Sequence, residues 1–243
     1  MRHVFETMGT VASIELPETV TTELDTVREI FTAADQRFSL YAPESELSRI
    51  ASGTLTLARA SSAVRESYER SIQWRIHTSG LFSPNRPDGV IDLNGIVKAE
   101  AIERAGAHLD SVGCPSWTIN VGGDILVRTD RAPWVTGIAD PSDDRSLICS
   151  VVLAGSRRAV ATSGSAQRGD HIWRGCELGP THFVQVSVIA DDIVTADVLA
   201  TAIVAGGQEA LDDVTGRWPI DVLAIDRGGA LMATPGFREA IAA

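Results

Sequence analysis

Lysine is almost absent from this 243-residue sequence: a single one, Lys98, stands beside twenty arginines. Basic residues as a class are also outnumbered, and the formal net charge is −11. The chain therefore carries no electrostatic footprint for nucleic acid or for an anionic membrane surface. Cysteine is scarce too. Cys114, Cys149 and Cys176 are odd in number and widely spaced, which excludes a disulfide framework and a zinc pattern and leaves reduced thiols. No run approaches eighteen consecutive apolar residues, so no membrane-spanning helix is expected. The opening MRHVFETMGT lacks the apolar core of a signal peptide, and no lipoprotein cysteine is present. As given, the chain reads as cytoplasmic; an exported form trimmed of its leader would read the same.

What is present is enough apolar residue, 44 %, to bury a real core. Residues 3–16 alternate loosely and read as strand. Val20, Leu24, Val27, Phe31, Ala34 and Phe38 recur at helical spacing. SELS after Pro43 offers a short capped turn. A second helix fits Ser61–Thr78, capped by Ser61 or Ser62, with a stripe of Val64, Tyr68, Ile72 and Ile76. A third fits Gly95–Val112 and stops at Gly113. From 117 onward short β-rich runs dominate, at 117–128, 134–139, 147–153, 158–162 and 183–189. An apolar helix at 195–207, a short helix near 208–215, a hairpin-like pair near 220–233 and a terminal helix complete the chain. The grouping predicts an α+β fold with a mostly antiparallel or mixed sheet. No linker divides it, and the expectation is one domain over 1–243.

Four stretches could carry chemistry. In TADVLATAIVAGG, Asp197 and Thr201 are four residues apart and share a helix face. One carboxylate and one hydroxyl suit Mg²⁺, which takes hard oxygen ligands and often substrate phosphates; an Asp capping a neighbouring loop is the alternative. In INVGGDILV, Gly122 and Gly123 interrupt a strand, as at a bulge or a close approach of backbone or ligand. Asp124 after them could accept from an adenine amine or a ribose hydroxyl. AVATSGSAQRGDHIWRG starts as strand and opens into a loop with Thr162, Ser163 and Gly164, whose backbone N–H groups suit a pyrophosphate. His171 lies in this glycine-bounded loop. Lys98 sits near the first turns of a helix, where anions are attracted; a solvated surface lysine is the alternative.

Read in order, these stretches resemble the ApbE family of Mg²⁺-dependent FAD:protein FMN transferases. ETMGTVASIEL, DQRFSLYAPESELSRI, DLNGIVKAEAIERA, INVGGDI, WVTGIADP, AVATSG with the following HI, and TADVLATAIVAGG match family blocks in family order. The resemblance covers nearly the whole chain. It implies that FAD binds with Mg²⁺ on its pyrophosphate. The FMN half then passes to a threonine hydroxyl of a target flavoprotein, and AMP leaves. By position, Asp197, Thr201 and the main-chain carbonyl of Val97 would be the metal ligands. Tyr41 would lie along the flavin, while Met8, Glu103, Gly123, Asp124 and the 162–164 segment would border the FAD, with Lys98 toward its phosphates. His171, alternatively Asp197, would be the catalytic base.

The chain also departs from the family pattern. Ala99 replaces the glycine after the family lysine, and Glu100 the aromatic that follows. Ser83 stands where the family has an aspartate, and Trp173 and Arg174 replace the acidic end of the histidine block. These departures keep two other readings open: an FAD-binding protein without chemistry, and an FAD pyrophosphatase giving FMN and AMP.

Overall fold

Two positive backbone angles turn the expected N-terminal strand back on itself. The computed structural model describes residues 1–129, 132–164 and 182–242. In it Met8 (φ 48°) and Gly9 (φ 70°) form a two-residue loop between β1 (Arg2–Thr7) and β2 (Thr10–Glu15). Positive φ at both positions gives a loop whose twist matches that of the strands it joins. The single strand expected over 3–16 is thus an antiparallel hairpin, with Arg2 opposite Glu15 and Thr7 opposite Thr10.

The described residues group into two compact units, Met1–Gly122 and Gly123–Ala243. In the first, β1, β2 and β3 (Trp117–Val121) pair antiparallel. A 3-10 turn at Glu18–Glu23 leads into α1 (Leu24–Phe38), which buries Leu24, Val27, Phe31, Ala34 and Phe38 as the periodicity predicts. Val20 falls in the 3-10 turn at φ −126° and leaves the stripe. The SELS turn is a short helix, α2 (Glu46–Ala51), in which the Ser45 hydroxyl accepts from the Ser48 N–H. Helix α3 (Ser62–His77) is capped by Ser61, as expected. Its buried face is rotated, however: Val64, Ser67, Ser71 and Trp74 are inside, and Ile76 is 71 % exposed. The reason is polar. Ser67 donates to Glu100 of α4 (Asn94–Ser111) at 2.5 Å, and both residues are buried. Orienting α3 to satisfy that carboxylate avoids the cost of an unpaired buried charge, and Ile76 is turned outward. Helix α4 packs on α1 and β3.

The second unit contains β4 (Asp124–Arg128), β5 (Trp134–Asp140), β6 (Asp143–Leu153), β7 (Ala159–Gly164) and β8 (Phe183–Ala190). Helix α5 (Ile193–Arg217) follows, then β9 (Asp221–Asp226), β10 (Leu231–Ala233) and α6 (Pro235–Glu239). Strands β4, β7, β8, β9 and β10 lie side by side in that order, antiparallel, while β5 and β6 form a separate hairpin. Ile125, Val127, Ile138, Val151, Leu153, Val160, Ile189, Leu223 and Phe237 make one apolar cluster. It fastens the β5–β6 hairpin and α6 to the sheet. Helix α5 packs on β4, β7 and β8.

The helices expected at 195–207 and 208–215 are both present as the two segments of α5, which meet at a break at Gly207 (φ 67°, ψ −146°). By length and composition α5 could cross a membrane, but 78 % of its apolar window is buried in the protein. The run expected over 117–128 is two strands, separated by Gly122 and Gly123 at φ 59° and 96°. A Cβ on Gly123 would meet nothing within 4 Å. Its backbone angle, rather than a bulge or a close neighbour, explains this glycine.

Candidate functional site

Helix α5 begins at Asp192, whose carboxylate accepts from the Thr195 N–H at 2.8 Å and satisfies the first turn. One turn on, Asp197 is 5 % exposed among residues that are otherwise apolar. Thr201 lies a further turn along the same face. Its hydroxyl is 3.0 Å from the Ser163 hydroxyl on β7. The preceding residue, Thr162, meets the Ser187 hydroxyl of β8 at 2.8 Å and donates its N–H to Asp124 Oδ1 at 3.2 Å. Asp124 is wholly buried. Gly164 ends β7 where a Cβ would come within 2.7 Å of the Val184 carbonyl, so only glycine allows that approach. Five residues that the sequence singled out, Asp124, Thr162, Ser163, Gly164 and Thr201, are thus linked through β4, β7, β8 and α5. Asp197 stands one turn away on the same helix.

The chemistry of this set is all hard oxygen: the touching hydroxyls of Thr201 and Ser163, the Asp197 carboxylate one turn away on α5, and the Asp124 carboxylate on the Thr162 N–H. That suits Mg²⁺, which is commonly held by one or two carboxylates plus substrate phosphates. Among the described residues no three His, Cys, Asp or Glu side chains converge on a point that could hold a metal by themselves.

The other expected residues lie in the first unit. Met8 occupies the β1–β2 loop in the left-handed region, unusual for a side-chain-bearing residue. Tyr41 is 85 % exposed in the loop between α1 and α2. Val97 is buried in the first turn of α4, and Lys98 beside it is half-buried. Glu103 accepts both terminal nitrogens of Arg70 on α3, at 2.6 and 3.0 Å. Its carboxylate thus ties α3 to α4. Glu100, the departure from the family aromatic, takes Ser67 and has Arg104 at 3.4 Å and Arg70 at 3.8 Å. Ala99 is fully buried. His171, Trp173 and Arg174 lie outside the described residues.

Sequence reasoning missed Ser187 and Ser39, whose hydroxyl accepts from the Tyr41 N–H, and read Ser45 and Ser48 only as a capped turn. Ser187 is a buried hydroxyl inside the apolar run VQVSVIA, a signal that could have found it. Charge placement adds one feature away from this set. In the β5–β6 turn the Ser142 hydroxyl and then its N–H hold Asp140 below the ordinary aspartate range. The Ser146 hydroxyl and then the Arg145 N–H do the same for Asp143.

Comparison with known proteins agrees with the family resemblance. The sequence model of the ApbE family matches residues 84–223, more than half of the chain. A curated relative from Rhodobacter capsulatus, named FAD:protein FMN transferase, is 30 % identical over 174 residues, 65 % of this chain and 32 % of its own. A relative of the same name from Vibrio cholerae is 28 % identical over 170 residues, 65 % of this chain and 49 % of its own. The chain thus spans a third to a half of the length of these relatives. Among solved structures, the ApbE protein of Thermotoga maritima superimposes with a TM-score of 0.81 at 19 % identity, covering 100 % of this chain and 99 % of the other. The flavin transferase ApbE of Vibrio cholerae gives 0.76 at 22 % identity, covering 99 % and 98 %; both likenesses support the α+β fold. With the family model matching more than half of its residues, the chain belongs to the ApbE family.

Proposed function

We propose that residues 1–243 work as one flavin transferase domain. It moves the FMN moiety of FAD to a threonine hydroxyl of a target flavoprotein and releases AMP. The observation that carries this reading is the oxygen cluster of the second unit: Asp197 and Thr201 on one face of α5, with Ser163 at 3.0 Å from Thr201. The curated relatives' name, FAD:protein FMN transferase, supplies the substrate and the reaction class. In the reaction the threonine oxygen bonds to the FMN phosphorus, the bond from that phosphorus to the AMP oxygen breaks, and AMP takes the electron pair.

Asp197 and Thr201 would hold the Mg²⁺ ion. When bound, it supplies charge neutralisation and orientation at the pyrophosphate. The burial of Asp197 keeps its carboxylate in a setting where charge interactions are strong. Asp124 holds Thr162 by its N–H, which fixes the 162–164 segment for the phosphates. Tyr41, whose ring is exposed, would lie along the flavin. His171 or Asp197 would take the threonine proton.

The test is incubation of the full chain with FAD, Mg²⁺ and candidate acceptor domains, followed by mass analysis. AMP released in step with a flavinylated threonine supports the proposal. AMP with free FMN in the absence of any acceptor makes the protein a pyrophosphatase. FAD retained without AMP makes it a binding module.

A further inference from the structure

The loop that carries Tyr41 is held by an arrangement of serines that the reaction does not itself use. Ser39 follows directly after α1. Its hydroxyl oxygen accepts from the N–H of Tyr41 at 3.1 Å and from the N–H of Ala42 at 3.2 Å. Its carbonyl accepts two hydroxyls, those of Ser45 and of Ser48, the latter at 3.1 Å. The Ser45 N–H donates back to the Ala42 carbonyl at 3.0 Å. Ser45 is buried, and its hydroxyl oxygen also caps α2 by accepting from the Ser48 N–H.

Both ends of the loop are anchored. Phe38 and Leu47 are buried on either side. Glu46 accepts from the Ser61 N–H at 2.6 Å and lies 3.4 Å from Arg37 of α1. Here the bonds converge on a backbone segment that presents a large aromatic ring to solvent at 85 % exposure.

We infer that Ser39, with Ser45 and Ser48 behind it, is a positioning residue for Tyr41. It presets the backbone so that the ring meets a flat aromatic ligand without further ordering. This rests on the reading of FAD as substrate, whose isoalloxazine is that ligand. Ordering a loop on binding costs affinity, and a preformed loop avoids that cost. Ser39 therefore acts on ligand affinity and not on the chemical step. The SELSR block, on this view, is the scaffold of the turn rather than a set of ligand contacts.

The test uses the full chain and FAD itself, with affinity read by quenching of flavin fluorescence. Ser39→Ala removes two backbone-to-hydroxyl bonds, and FAD affinity should fall about tenfold with kcat unchanged. Ser48→Ala removes one of the two hydroxyls on the Ser39 carbonyl and should lose roughly threefold. The discriminating measurement is the double mutant. In a Tyr41→Ala background, Ser39→Ala should cost less than about twofold, because its effect passes through the ring. Hydrogen exchange at the Tyr41 and Ala42 amides should quicken in Ser39→Ala while exchange in α1 stays as in the wild type.

An undiminished tenfold loss in the Tyr41→Ala background would overturn the inference and make Ser39 a general fold residue. Equal affinity of Ser39→Ala and wild type would overturn it as well. Failure of the wild-type chain to bind FAD at all would overturn the functional reading, and the ligand named here with it.

Discussion

Helix α5 contains two glycines whose replacement should have opposite effects. Gly207 has φ 67° and ψ −146°, and a Cβ there would sit 3.2 Å from the His182 Cβ. Gly216, nine residues on, has no left-handed angle, lies near the end of the helix, and would meet nothing within 4 Å. Backbone in the Gly207 region costs a side-chain-bearing residue about 1–3 kcal/mol. The His182 contact must also yield by a few tenths of an ångström, because the two atoms are tighter than an ordinary contact. We expect Gly207→Ala to lower the unfolding free energy by about 2–3 kcal/mol. Gly216→Ala should raise it by up to about 1 kcal/mol, since alanine restricts the unfolded chain and suits a helix. Guanidinium unfolding followed by tryptophan fluorescence measures both. For Gly207→Ala the thermal midpoint should fall by roughly 4–12 °C in a chain of this size. If Gly207→Ala proves as stable as the wild type, α5 is not broken at that residue and the conformational argument fails. A similar gain from both variants would have the same meaning.

Four further expectations concern individual side chains. Asp197→Ala should abolish the Mg²⁺ dependence of AMP release and cut the rate at least about a hundredfold; an unchanged Mg²⁺ titration would remove α5 from the site. Ser67→Ala withdraws the 2.5 Å donor from the buried Glu100 and should destabilise the protein by about 1–3 kcal/mol. Arg70→Ala, whose pair with Glu103 is over a third exposed on both sides, should cost under about 1 kcal/mol, and a larger loss there than at Ser67 would reverse the assignment of which contact holds α3. Asp140 and Asp143 titrate below the ordinary range in the folded state, so their contribution is complete above the unfolded value of about 3.9 and is lost as pH falls through the lowered ones. Carboxyl NMR titration should show Ser142→Ala moving Asp140 back up, and no movement would refute the hydrogen-bond cause.

Much of the fold was legible in local pattern. The α1 stripe, the Ser61 cap, the antiparallel strands after 117 and the closing hairpin all follow from periodicity, capping and turn residues acting over a few positions. The misreadings have local causes too. Met8 before Gly9 carries a bulky side chain at a turn angle, so the N-terminal hairpin looked like one strand. The α3 stripe was assigned by hydrophobicity alone, and a buried Ser67–Glu100 bond, 33 residues apart in sequence, set the rotation instead. Periodicity cannot register such a partner. At the candidate site, the i to i+4 spacing of Asp197 and Thr201 was readable, and Ser163 was singled out with the 162–164 segment, but its contact with Thr201 was not.

The sequence by itself determined the elements, their antiparallel character and the family, because each is written in spacing along the chain or in blocks kept in order. Only the tertiary structure decided that Ser163 faces Thr201, that Asp124 is buried against Thr162, and that three serines grip the loop before α2. Those contacts join residues up to 38 positions apart. They depend on which strand lies beside which and how each helix is rotated about its axis, and those in turn are set by how all the elements bury their apolar faces together.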